Sequence, residues 1–332
     1  MNIAYKMTEE RNEVNKMNVT KANGTTPKKV NPVMKSMRRN WPLYLFILPM
    51  FVYIIIFAYW PMYGLQIAFK NYTFQDGFSG SPWVGLKWFK QFLSGPRVVP
   101  IVLNTLKLSL YSLIAGFPLP IILALVLNGI ENLKWKKLAQ TITYMPHFIS
   151  MPVLCGMLNL FLSPSTGIIN TALKFFNITQ EGIYFLGEAR YFAHVYVWSG
   201  VWQGMGWGSI IYLAALSGVD PGLHEAAKID GANKIQRVWH IDLPSILPTI
   251  IILLVMNCGS ILGVGYEKVY LLQNNLNMTV SEVISTYVYK MGLQSRQYSF
   301  STAVGLMNNV INFAILTLVN KTSDKLSGIS LW

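Results

Sequence analysis

Four of the chain's fourteen acidic residues, Asp220, Glu225, Asp230 and Asp242, fall between positions 220 and 242. Side chains of this type can ligate metals, move protons, cap helices or present a fixed charge to a partner. Zinc is excluded first, because His224 and Glu225 would need a second histidine where Lys228 stands. The four histidines, His147, His194, His224 and His240, show no ligand spacing. Cys155 and Cys258 sit in apolar runs and read as small fillers. An ATP-binding loop needs G-x-x-x-x-G-K-[ST], and the nearest approach, Gly80 to Gly85, has Leu86 before Lys87. The chain is therefore expected to hold no metal or other cofactor and to hydrolyse no ATP; no catalytic residue is assigned.

Capping and charge presentation remain. Asp220 is placed to cap a helix whose first turn holds Pro221. Residues 223–230 read as a short helix, ended by Gly231 in a left-handed conformation. Residues 233–240 read as a second helix that stops before Pro244. Ala226, Ala227 and Ala232 leave a surface that another protein can approach closely, and Glu225 sets a charge beside it. This pattern predicts a docking knob.

The elements that must carry this knob follow from composition. The chain is 52% hydrophobic and 12% charged, against about 25% charged in soluble domains. Six windows lack Asp, Glu, Lys and Arg altogether: 40–69, 108–130, 138–173, 191–219, 243–266 and 297–320. Each exceeds the roughly 20 residues that a bilayer-crossing helix needs. The expected fold is an all-α integral membrane protein with six transmembrane helices. That excludes a soluble enzyme and a disordered chain. No window holds a carboxylate, which proton- and sodium-coupled carriers normally place in the membrane. No cleavable signal peptide is expected, because the first apolar run starts near Leu43 behind a polar tail.

Charge sets the orientation. Segments 1–39, 131–137, 220–242 and 321–332 carry 17 of the 27 Lys and Arg residues, and segments 70–97, 174–190 and 267–296 carry 9. Basic residues mark the cytoplasmic side, so both termini are expected there, in a cell membrane. The tail 1–39, with Lys28, Lys29, Lys35, Arg38 and Arg39, reads as an anchor on anionic headgroups. It lacks the aromatic interleaving of a nucleic-acid arm, so no nucleic-acid partner is expected. The expected organisation is a cytoplasmic basic tail (1–39), a first span (40–69), an extracytoplasmic loop (70–105), a transmembrane core (106–320) holding the knob at 219–245, and a cytoplasmic end (321–332).

Within the core, Pro118 and Pro120 should kink a span at 106–129. A third span near 144–163 contains Pro146 and Pro152 and ends at Pro164 and Gly167. Gly200, Gly204 and Gly208 in a span at 191–216, and Gly259 with Gly263 in the next, form stripes that let helices approach closely. Trp83, Leu86, Phe89, Phe92 and Leu93 suit either a helix on the outer membrane surface or a cap packed on the spans. Trp198, Trp202, Gln203, Asn257, Asn308, Asn309 and Asn312 are the candidates for lining a substrate pathway, with interhelical hydrogen bonding as the alternative.

Glu225-Ala226-Ala227, then Gly231, then Ile241-x-Leu243-Pro244 resemble the "EAA" signature of ATP-binding-cassette (ABC) importer permeases. The run Ala227 to Ala232 is similar to the A-x-I-D-G-A of the carbohydrate-uptake branch, with Asp230 and Ala232 in place. Trp83-Val84-Gly85-Leu86-Lys87-Trp88-Phe89 resembles that branch's W-x-G-L-x-N-F, with Trp88 where Asn is common. The stretches 283–289 and 298–306 are similar to importers of oligosaccharides or polysaccharide fragments. The resemblance implies a MetI-like permease core of five spans preceded by one extra span. It implies a coupling helix at the knob, with Glu225 pairing to a basic group of an ATPase. It also implies a second permease subunit, two ATPases binding ATP and Mg, and an extracytoplasmic solute-binding protein. A permease for a non-sugar solute is the alternative reading.

Overall fold

The computed structural model describes residues 39–332, so the basic tail with Lys28, Lys29, Lys35 and Arg38 lies outside the described residues. Among the described residues the chain is helical, with one isolated antiparallel bridge between Lys70 and Trp83. The described residues divide into two compact units, one ending at Gly64 and the other Leu65–Trp332. In the first, α1 (Trp41–Ile54) passes into a π-helical turn (Ile55–Tyr59). The apolar helical run that begins with α1 extends to Phe69.

In the second unit, α2 (Lys87–Leu93) precedes α3 (Val98–Gly116) and α4 (Pro118–Asn128). The stretch expected at 106–129 begins at Val98. Pro118 has no N–H and its ring crowds the preceding turn, so it opens a new helix instead of merely bending the old one. The span expected near 144–163 is broken more severely. It consists of α5 (Leu133–Tyr144), a 3-10 turn (Met145–Phe148) and α6 (Met151–Phe161). Pro146 and Pro152 each stand in the opening turn of their element, where a missing N–H costs nothing. The 11 residues of α6 reach only about 16 Å at 1.5 Å per residue, too short to cross a bilayer core of roughly 30 Å. A separate helix, α7 (Ile168–Phe175), follows.

α8 (Ala189–Leu216) has 28 residues. Beyond the knob, α11 (Leu243–Cys258), α12 (Tyr266–Leu272), α13 (Ile284–Tyr289) and α14 (Tyr298–Ser327) complete the unit; α9 and α10 belong to the knob itself. Four helical stretches among the described residues are long and apolar enough to cross a membrane: Trp41–Phe69, Val98–Asn128, Lys234–Cys258 and Tyr298–Ser327. α14 runs past the expected boundary at 320 and ends at Gly328, whose φ of 65° is the left-handed cap that glycine adopts without a Cβ clash.

Three buried clusters hold these pieces together. Leu108, Cys155, Phe192 and Val269 join α3, α6, α8 and α12. Phe92, Ile101, Ile284 and Phe300 join α2, α3, α13 and α14. Ile121, Ala124, Tyr212 and Ile246 join α4, α8 and α11. Phe92 is thus a core residue, and α2 is a cap packed on the helices rather than a free surface helix. The Trp88 indole N–H donates to the Lys70 carbonyl at 2.9 Å, tying this cap to the segment after α1.

The expected glycine stripes need correction. Nothing lies within 4 Å of a Cβ built at Gly204, whereas one at Gly206 would sit 1.9 Å from the Thr143 carbonyl oxygen. The tightest approach to α8 is therefore that of α5 at Gly206, outside the four-residue stripe, while within the stripe a Cβ at Gly208 would meet the Pro120 ring of α4 at 3.2 Å and one at Gly200 the Lys268 Nζ at 3.1 Å. Gly263 stands in the turn after α11, not in a helix. A Cβ at Gly259, the C-cap of α11, would press on Leu316 at 2.7 Å.

Buried polar groups close the loops. Asn277 is fully buried and donates to the carbonyls of Leu186 at 2.8 Å and Leu272 at 3.0 Å. Asn104 donates to Thr279 and Glu282 at 2.9 and 3.1 Å. The segments 174–190 and 267–296, assigned to one side by charge, therefore meet in space. Likewise Lys234 pairs with Glu131 at 3.1 Å, joining two segments assigned to the other side. Asn277→Ala should leave the Leu272 carbonyl and the Asn274 N–H without their side-chain partner, while the Leu186 carbonyl keeps its bond from Asn274, and lower stability by about 1–3 kcal/mol. Thermal unfolding of the purified variant, measured beside wild type, checks this.

Candidate functional site

At the knob, Asp220 caps α9 (Pro221–Ile229), its carboxylate accepting from the Gly222 N–H at 2.9 Å. Pro221 fills the first turn, as its fixed φ suits. The helix ends with the Gly231 N–H donating to Lys228 at 3.1 Å and the Ala232 N–H to Ala227 at 2.8 Å. That pair of bonds is a Schellman closure, and it needs the left-handed residue that Gly231 supplies at φ +81°. Asn233 and Gln236 then form a reciprocal capping box at the start of α10 (Lys234–Arg237).

The second helix does not stop before Pro244. It continues through a π turn (Val238–Asp242) into α11, so that Lys234–Cys258 is one helical stretch. The ring of Pro244 is accommodated because it falls in the first turn after the π turn, where the α-helical ladder is already interrupted. His224 Nε2 lies 3.3 Å from Asp242 Oδ1, fastening α9 to that π turn.

Glu225 and Ala226 are exposed, as are Asp230 and Pro244. Ala227, Asp230, Gly231, Ala232 and Ile241 line a groove of about 310 Å³ between the two helices; Leu243 lies at the start of α11. Around it, Ile229 is 87% exposed and Ile235 70% exposed. In the sequence these isoleucines stand between Lys228 and Asp230 and between Lys234 and Gln236, and such flanks alone do not say that an isoleucine projects outward.

The second feature is a cavity of about 700 Å³ walled by α3, α4, α8 and the segment 257–268. Of the pathway candidates, Gln203 and Asn257 line it. One amide N–H of each donates to backbone, Gln203 to Ile149 at 2.8 Å and Asn257 to Leu253 at 2.7 Å, leaving a second N–H and the carbonyl oxygen on each. The other five lie outside its lining. Asn308 and Asn312 grip the backbone of Leu262, at 3.4 and 3.0 Å, and hold α14 to the turn after α11. Asn309 is exposed. Trp198 donates to the Tyr111 hydroxyl at 2.9 Å, and that hydroxyl lies 2.8 Å from His194 Nδ1. Trp202 is 44% exposed.

Lys268, just beyond a charge-free window, was not among the candidates, yet it is the buried cation of the cavity wall. Its Nζ donates to the Tyr196 carbonyl at 2.7 Å and lies over the Tyr196 ring at 4.9 Å. Burial pulls its pKa down to about 8.

A helical chain with apolar helices of membrane-crossing length, a charged helix–turn–helix knob and a cavity between its helices that carries Gln203, Asn257 and Lys268 has the build of a transport permease. Its residues 116–326 match the family described as "Binding-protein-dependent transport system inner membrane component", and the chain belongs to that family. It is an integral membrane component of an ABC importer and not itself the ATPase. It is 41% identical to the protein LplB of Bacillus subtilis (strain 168), over 88% of this chain and 91% of that one. It is 42% identical to the polygalacturonan/rhamnogalacturonan transport system permease protein YteP of the same organism, over 85% and 88% of the two chains. Among solved structures, it superposes with a TM-score of 0.82 and 39% identity on a chain of a bacterial ABC transporter that imports the acidic polysaccharide alginate, covering 90% of this chain and 100% of that one. A second alginate transporter structure, in complex with an alginate pentasaccharide-bound periplasmic protein, gives 0.80 at 39% identity, covering 90% and 99% of the chains.

Proposed function

We propose that this chain translocates an oligosaccharide or polysaccharide fragment across the bacterial cell membrane, receiving it from an extracytoplasmic binding protein. The observation that carries this reading is the continuity of Lys234–Cys258, which joins the knob at one end to Asn257 in the cavity wall at the other. A helix of 25 residues is about 37 Å long and packs through the fully buried Ile246 onto α4 and α8. Displacement of α9 and α10 by an ATPase therefore moves the wall of the cavity. Two arrangements of the bundle, open to opposite sides, give alternating access once the ATPase binds them differently.

In this reading α8 and the discontinuous pair α5 and α6 supplement the four apolar stretches to make six crossings. Both termini face the cytoplasm, as the basic excess at 131–137 and 220–242 supports. Glu225, Ala226, Ala227, Asp230, Gly231, Ala232, Ile241, Leu243 and Pro244 form the ATPase seat. ATP and Mg are bound by two ATPase subunits, and a second permease subunit completes the pathway.

The test is ATP hydrolysis by the purified four-subunit complex with its binding protein. Oligosaccharide-loaded binding protein should stimulate hydrolysis several-fold. No stimulation by any saccharide, together with stimulation by a non-sugar solute, would transfer the assignment to the alternative solute class.

A further inference from the structure

A saccharide importer needs acceptors and donors for hydroxyls, and the cavity supplies them in Gln203, Asn257, Ser109 and Ser112. None of these accounts for Lys268. Its side chain is only 6% exposed, yet none of the ion pairs among the described residues includes it. The adjacent Glu267 lines the same cavity but does not pair with it. Burying an ammonium without a counter-charge is costly, and that cost falls when an anion arrives.

The surroundings keep the ammonium approachable. The Tyr196 carbonyl accepts one of its three N–H donors, and the Tyr196 ring covers one side. The position facing it on α8 is Gly200, where a Cβ would come within 3.1 Å of Nζ. With glycine there, the ammonium remains open to the cavity. Asn257 and Gln203 each keep a carbonyl oxygen and a second amide N–H, uncharged groups that suit the hydroxyls of a sugar ring. Lys268 is the one cation among the described residues that line the cavity, so a carboxylate entering the cavity finds its charge-assisted donor there.

The geometry points to Lys268 as the residue that receives a carboxylate of the transported saccharide, so that the cavity favours uronate-containing oligosaccharides over neutral ones. This rests on the saccharide-importer reading above. A charge-assisted contact of this kind contributes about tenfold or more to recognition.

Uptake of tri-galacturonate and of its carboxyl-reduced counterpart, galactotriose, is measured in proteoliposomes holding the full complex and binding protein. Three variants are compared with wild type: Lys268→Met, Lys268→Gln and Lys268→Arg. Glutamine keeps a donor for the Tyr196 carbonyl and removes only the charge. The expected result is a loss of about tenfold or more in tri-galacturonate uptake for Lys268→Met and Lys268→Gln, with Lys268→Arg within about threefold of wild type. Galactotriose uptake, where wild type shows it, should change by less than about twofold, and complex assembly should be retained in the glutamine variant. Unchanged tri-galacturonate uptake in Lys268→Gln overturns the assignment. So does equal loss of both sugars, or wild-type uptake of galactotriose alone. Wild-type uptake of neither sugar, with a non-sugar solute imported, overturns the saccharide reading itself.

Discussion

Gly206→Val is expected to yield little or no folded permease. The added Cβ would lie 1.9 Å from the Thr143 carbonyl oxygen and 2.4 Å from the Thr143 carbonyl carbon. Both are backbone atoms, so no rotamer change relieves the clash, and α8 must move off α5. Overpacking of close-packed interiors costs about 1–3 kcal/mol where side chains can adjust, and more where they cannot. That is a large part of the roughly 5–15 kcal/mol that holds a domain folded. The neighbouring Gly204 serves as the internal control. Nothing lies within 4 Å of a Cβ there, so Gly204→Ala should be neutral or stabilising by up to about 1 kcal/mol. Yield of monodisperse protein after extraction, with thermal unfolding of what is recovered, compares the two. Normal yield and stability for Gly206→Val would mean that α5 and α8 do not touch as described.

Glu225→Lys should have the largest effect on transport while leaving the fold intact. Glu225 is exposed in the middle of α9. It forms none of the ion pairs found among the described residues. Reversing its charge therefore disturbs little within the chain. Against the basic ATPase seat proposed for Glu225 it replaces attraction by repulsion, which costs several kcal/mol across an interface. At about 3 kcal/mol, binding weakens roughly a hundredfold. The variant should insert in the membrane normally, fail to co-purify with the ATPase, and import nothing measurable. Gly231→Asp should act in the same direction more mildly. A side chain at φ +81° is strained; the left-handed conformation costs an ordinary residue about 1–2 kcal/mol, and Asp tolerates it better than most but less well than glycine.

The knob was legible in the sequence because its signals are local. Asp220, Pro221 and Gly231 dictate a cap, a first turn and a stop within a few residues, and the structure places all three in those roles. The helix beyond runs through Pro244, contrary to the sequence expectation, because the π turn ahead of it, in which Asp242 is buried, leaves no residue pattern. The span at 144–163 read as continuous because apolar content says nothing about backbone breaks. Pro146 and Pro152 begin elements there, and only tertiary contacts show that they do not merely bend one. The asparagines of α14 illustrate the remaining difficulty. Asn308 and Asn312 share a helix face, but which neighbour they meet depends on a turn 46 and 50 residues away. Lys268 escaped notice for a similar reason: one lysine in a polar segment carries no period, and its burial against Tyr196 exists only in three dimensions.

If the helix pair 220–244 seats on a cytoplasmic ATPase, a reactive group placed on it should reach that subunit. Photo-crosslinking tests it most directly, with a benzophenone amino acid placed at position 226 in the intact complex and, as the control, at position 175. Ala226 is exposed beside Glu225, and Phe175, 81% exposed, lies in the segment between α6 and α8. The account predicts an adduct with the ATPase subunit from position 226 and none from position 175. An ATPase adduct from position 175, with none from position 226, would contradict it.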